Sequence, residues 1–184
     1  MDDMKYKLFA LLAASFTMVA SGQETKEAPA EAAKEDVSKE VFASKVAASI
    51  APVVQKFEGE KYVPTKLAGN PDYYIMYFTA SWWPPCRRSV PQLVEKYNTE
   101  ITKLDKLELV QVSVDKDAKK AVGWAKKESF PWPTILMTDI KKTMVKDIKT
   151  NAVPTYVLID KDGKEIARAH DSGTVMKKFK EVSK

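Results

Sequence analysis

Seven consecutive residues, Tyr73 to Thr79 (YYIMYFT), carry no charge and are almost all aromatic or β-branched, the composition of a strand buried on both faces. Leu107 to Val114, rich in Leu and Val, predicts a second buried strand. Between them, apolar residues at Val90, Leu93, Val94, Tyr97 and Ile101 recur at helical spacing, which predicts a helix over Arg87 to Lys103. Ala118 to Lys127 is helical in the same way and is broken by Pro131 and Pro133. Thr155 to Ile159 and Glu165 to Ala169 flank Lys161-Asp162-Gly163, a hairpin signal because glycine accepts a positive φ. Val175 to Val182 closes the pattern as an amphipathic helix, and Val53 to Phe57 and Lys61 to Val63 precede it as short strands. Strand, helix, strand, helix, hairpin, helix implies an α/β architecture with parallel strands at its centre and a terminal antiparallel pair.

The pattern changes upstream of Ala51. Gln23 to Glu40 is mostly Ala, Glu and Lys and cannot bury enough apolar surface to order itself, so residues 23–50 read as a tether, with a possible short helix over Val41 to Ile50. Residues 1–22 have the layout of an export signal. Lys5 and Lys7 precede the apolar run Leu8 to Ala20, and small residues follow at Ser21 and Gly22. That run is too short for a permanent anchor. A periplasmic or secreted protein is the expectation, with one domain over 51–184.

Composition narrows the chemistry. The net charge of +5 comes from lysines that alternate with acids, not from a dense basic run, which argues against a nucleic-acid partner. Cys86 is the single cysteine and His170 the single histidine, so neither an internal disulfide nor a Cys/His zinc site can form, and no metal or other cofactor is expected.

The informative stretch is Phe78-Thr-Ala-Ser-Trp-Trp-Pro-Pro-Cys86, continued by Arg87-Arg88-Ser89-Val90-Pro91. It resembles the thioredoxin superfamily, most closely the tryparedoxin, nucleoredoxin and TlpA-like branch, whose motif runs Trp-Cys-Pro-Pro-Cys. On that resemblance Trp82 matches the motif tryptophan, Pro84 and Pro85 the spacers, Cys86 the second cysteine and Pro91 the proline that kinks the following helix. Val153-Pro154-Thr155 matches the loop that carries the family's cis-proline opposite the motif. The resemblance implies the thioredoxin fold, a central mixed sheet flanked by helices on both faces. It also implies a groove for extended peptide or protein formed by Trp82, Trp83, Val153 and Pro154.

One position departs from the pattern. The family's first cysteine attacks a substrate disulfide as a thiolate at a helix N-terminus, and the second resolves the mixed intermediate. Trp83 stands at that first position and has no nucleophile, so the two-cysteine cycle is closed to this polypeptide. The resemblance then implies a binding module with a degenerate motif. The alternative is an oxidoreductase working through Cys86 as a monothiol, or in a form that keeps the first cysteine. The family places its second sulfur in the less exposed position, which favours Cys86 as a shielded remnant. Tyr77 sits where the best-known thioredoxins bury an acid, and a tyrosine there is common in the tryparedoxin-like branch. His170 reads as a surface-loop residue, Trp124 and Trp132 as packing residues. A peroxiredoxin reading fails because no threonine stands three residues before Cys86.

Overall fold

The structure is a computed structural model that describes residues 43–184. The segment read as an export signal, and the tether as far as residue 42, lie outside the described residues.

Seven strands form one mixed sheet: β1 (Gln55–Glu58), β2 (Lys61–Pro64), β3 (Tyr73–Thr79), β4 (Leu107–Ser113), β5 (Pro133–Ile135), β6 (Thr155–Asp160) and β7 (Glu165–Ala169). Their order is β2-β1-β5-β4-β3-β6-β7. The pairs β3/β4 and β4/β5 are parallel, and every other pair is antiparallel. The helices are α1 (Lys45–Ile50), α2 (Pro84–Thr99), α3 (Ala118–Glu128) and α4 (Ser172–Val182).

Alternation of side chains in the central strands builds two cores, one on each face. Ile75, Tyr77, Leu107, Leu109, Tyr156 and Leu158 face α2, α3 and α4. Tyr74, Met76, Phe78, Val110, Val157 and Ile159 face α1 and the turn around Val145. Because both faces are covered, the central strands are mostly apolar, which is why they stand out in the sequence, and the polar residues of β4, Glu108 and Gln111, are buried and hydrogen-bonded.

Three sequence expectations need correction. The domain begins before Ala51: Val46, Ala47 and Ile50 of α1 lie in the second core, so Lys45–Ile50 belongs to the fold and not to the tether. Ser44 caps this short helix by accepting the Ala47 N–H (3.1 Å), takes a hydrogen bond from the Tyr74 hydroxyl (3.0 Å), and donates to the Lys161 carbonyl (3.1 Å). Second, α2 starts at Pro84, not Arg87, because the first helical positions need no N–H and accept two prolines without loss. Third, the stretch read only as a break contains β5, which joins the β1–β2 hairpin to β4 through Thr134.

At the start of β4, Glu108 is buried where β5 no longer pairs. Its Oε1 accepts hydrogen bonds from the Tyr97 hydroxyl (3.0 Å) and the Leu109 N–H (2.8 Å). Burial outweighs both bonds and raises the carboxyl above its ordinary value. A carboxyl raised on folding stabilises the fold below its unfolded value of about 4.3, and that contribution is lost as pH climbs through the raised value. Glu108→Gln keeps a hydrogen-bonding oxygen and removes the charge. Thermal melts should show the variant a few degrees more stable at about pH 8 and little changed at about pH 4. Equal melting at both values would remove Glu108 as a source of pH-dependent stability.

Candidate functional site

Where β3 ends, the chain turns at Ala80 and Ser81 and enters α2 at Trp83. Trp83 N–H donates to the Ala80 carbonyl (3.3 Å), and the Trp83 carbonyl accepts from Arg87 N–H (3.2 Å). Trp83 is the N-cap of α2 in an extended conformation (φ −92°, ψ 116°) and offers no side-chain cap, as an indole cannot accept a hydrogen bond. Pro84 and Pro85 fill the next two positions, and Cys86 follows as the third helical residue. Pro91, inside the helix, removes the hydrogen bond that the Arg87 carbonyl would otherwise receive.

The two tryptophans face outward. Trp82 is 58% exposed and Trp83 41%, with ring centroids 6.1 Å apart and planes at 61°. Together with Val114, Val153 and the Thr150–Ala152 segment they line an open depression of about 450 Å³. The sequence-predicted groove residues Trp82, Trp83 and Val153 therefore come together, and the Val153–Pro154 bond is cis. Val153 N–H and C=O enter no hydrogen bond with a described residue, so this stretch offers a free main-chain donor and acceptor beside the indoles.

Cys86 lies on the opposite side of the helix start. It is 0% exposed and packs in the core with Tyr77, Val90 and Tyr156. Burial pushes its thiol above the ordinary value, although Thr79 and the Ala80 backbone lie near enough to oppose the shift. Beneath it, Tyr77 stacks on Tyr156 (centroids 4.6 Å, planes 16° apart) and receives a hydrogen bond from the Thr79 hydroxyl (3.0 Å). Burial drives the Tyr77 phenol up to about 12 and Tyr156 still higher, so both stay protonated at neutral pH. Neither can act as a base toward the sulfur there.

Two residues of the site are invisible to motif reading. Asp115, buried just past β4, accepts the Ser81 N–H with both oxygens (3.1 Å each), the Ser81 hydroxyl (2.7 Å) and the Ser113 hydroxyl (3.2 Å). It fixes the residue that precedes the tryptophan pair. The signal for it was an acid ending a buried parallel strand, the end at which open α/β sheets build their sites. His170 is exposed, yet its Nδ1 lies 2.8 Å from the Pro154 carbonyl. A carbonyl only accepts, so Nδ1 carries the proton and ties the proline loop to the start of α4. Among the described residues no three His, Cys, Asp or Glu side chains converge as a metal site would require, and no helix is long and apolar enough to cross a membrane.

Probable nucleoredoxin 1 of Arabidopsis thaliana is 36% identical over 91 residues, covering 48% of this chain and 15% of that protein. Nucleoredoxin of Danio rerio is 30% identical over 106 residues, 56% of this chain and 24% of its own length. The chain thus spans a quarter or less of these curated relatives. Among solved structures, a mutant tryparedoxin-I is 26% identical with a TM-score of 0.52, covering 68% of this chain and 86% of that one. StoA from Bacillus subtilis, 20% identical with a TM-score of 0.53 over 70% of this chain and 97% of its own, shares the fold. The thioredoxin-like family model matches residues 70–165, which take in β3, the tryptophan turn, all of α2 and the proline loop. By fold, by motif position and by sequence, the chain belongs to the thioredoxin-like family, on the branch that includes the nucleoredoxins and tryparedoxins.

Proposed function

We propose that this chain is an exported thioredoxin-fold module that binds extended peptide or protein segments and has lost dithiol–disulfide exchange. The carrying observation is the placement of Trp83 at the N-cap of α2, with the chain's single thiol, Cys86, fully buried behind it. A thiolate at that N-cap would meet the positive end of the helix and the solvent where a substrate arrives. An indole there supplies rigid contact area instead. The unpaired main-chain groups of Val153 support the reading, since an extended segment laid beside them can pair as an added strand. Export is supported by the layout of Met4 to Gly22.

The second reading, a monothiol enzyme using Cys86, asks a buried thiol with a raised pKa to act as an exposed thiolate. One experiment separates the two. Ellman's reagent should label Cys86 in the native protein at least about a hundredfold more slowly than in denaturant, because labelling must wait for an opening of the core. In parallel, the native protein should reduce insulin disulfides no faster than a low concentration of dithiothreitol does alone. Fast native labelling, or insulin reduction above that background, would replace the binding module with the enzyme.

A further inference from the structure

Three cations stand close along the chain to residues that line the tryptophan depression. Arg87 follows Trp83 by four residues and so lies on the same helix face one turn on, and Arg88 stands next to it. Lys116 stands two residues beyond Val114, on the loop that walls the depression. All three are exposed, and none makes an ion pair with a described residue. Several surface cations elsewhere are paired: Lys45 with Asp162, Lys126 with Glu60, Lys142 with Asp139, Lys180 with Glu100. The chain has three arginines, and Arg168 is bound to Glu165 and to the Lys149 carbonyl. The other two are left open beside the groove.

Two acids flank Lys116 in sequence, and each is engaged within the fold without forming an ion pair. Asp115 is buried and already accepts from Ser81 and Ser113. Asp117 caps α3 by accepting the Lys119 N–H (2.9 Å). The positive end of the α2 dipole adds to the same field, and its first two residues, as prolines, have no N–H to direct at a ligand. A ligand carboxylate would therefore be held by the arginine side chains, whose planar guanidinium matches it in two-point geometry.

We propose that the segment taken by this groove is acidic: an extended peptide whose apolar side chain packs against Trp82, Trp83 and Val153, and whose flanking carboxylates meet Arg87, Arg88 and Lys116. This rests on the binding reading above and specifies its partner. The apolar contact supplies area, while the charges set orientation, approach rate and choice among peptides. A basic segment would bring like charges against three unpaired cations, so discrimination has a repulsive arm as well as an attractive one.

The test uses the full chain and three labelled synthetic peptides, each with a central phenylalanine, flanked by glutamates, glutamines or lysines. Fluorescence anisotropy should rank them glutamate, glutamine, lysine, with about tenfold tighter binding of the first than the second, as expected for a few exposed ion pairs. Raising salt from about 50 to about 300 mM should remove most of that advantage and leave the glutamine peptide nearly unaffected. The double variant Arg87→Glu, Arg88→Glu should invert the order, and Lys103→Glu, on the turn after α2, should preserve it. Equal binding of all three peptides without salt dependence would overturn the acidic preference and leave the binding module standing. Binding of none would overturn both. Tighter binding of a single-stranded oligonucleotide than of the glutamate peptide, lost in the arginine variant, would replace the peptide by a nucleic acid.

Discussion

Trp83→Cys is expected to turn a protein without insulin-reducing activity into one that exceeds the reductant's background by about a hundredfold, a modest share of what a catalytic nucleophile is worth. The new thiolate would stand at the N-cap of α2, near the Cys86 N–H and the Arg87 charge, both of which favour its ionised form. It would attack one sulfur of the substrate disulfide and expel the other as a thiolate. Cys86, as thiolate, would then attack the mixed disulfide, leaving an 83–86 disulfide and reduced substrate, with dithiothreitol returning the pair to dithiol. The second step carries a handicap peculiar to this chain. Cys86 ionises late because it is buried, and the phenols of Tyr77 and Tyr156 below it cannot take its proton near neutrality. The rate of the variant should accordingly rise with pH through and above the ordinary thiol range. Trp83→Ser should remain at background, which separates the effect of sulfur from that of removing an indole. A Trp83→Cys protein that folds, binds peptide and stays at background would show that the site has drifted beyond one residue.

The second large effect lies in the core. Trp132 is fully buried, and its ring meets Tyr77 (6.2 Å, 85°), Tyr97 (5.7 Å, 80°) and Phe130 (5.0 Å, 35°). Its Nε1 donates to the Gln111 side chain (2.7 Å), which also accepts from Thr134 (3.2 Å). Trp132→Ala would open a cavity where α2, β4 and β5 meet, at a cost of about 3–5 kcal/mol. In a domain of this size that lowers Tm by about 10 °C. Trp132→Phe keeps most of the ring contacts and gives up the hydrogen bond, for about 1–2 kcal/mol. Urea melts measure both. Because Tyr77 packs between Trp132 and Tyr156 under the sulfur, the alanine variant should also speed native labelling of Cys86. A loss below about 1 kcal/mol for Trp132→Ala would mean that the aromatic cluster relaxes around the gap.

What the sequence discloses and what it withholds follow from how locally each element is determined. The runs at Tyr73 to Thr79 and Leu107 to Val114 announce central strands because burial on two faces leaves few polar residues to blur them. β5 is silent by the same logic: it is three residues long, begins at a proline, and exists because Thr134 sits between Gln55 and Gln111. α1 is hidden for another reason. Six residues cannot form a stable helix alone, and its order comes from a serine cap that reaches Tyr74 and the hairpin carbonyl of Lys161. At the site, the tryptophans, the two prolines and the Val153-Pro154 pair are legible because they are contiguous motifs. Asp115, His170 and the Thr150–Ala152 wall join them only through parallel pairing of β3 with β4 and antiparallel pairing with β6, which no local pattern encodes.

The grip of Asp115 on Ser81 bears on how quickly a complex can form. Three hydrogen bonds to a single residue immobilise the turn from which both indoles project. Their orientation is thus set in the unbound protein, and an arriving segment loses little further freedom on the protein's side of the contact. A surface prepared in this way meets its ligand as a rigid template: encounters succeed or fail on the ligand's shape, not on a slow rearrangement of the loop. Affinity differences between ligands will then reside in how long each one stays, with association rates nearly common to all that carry the same charge.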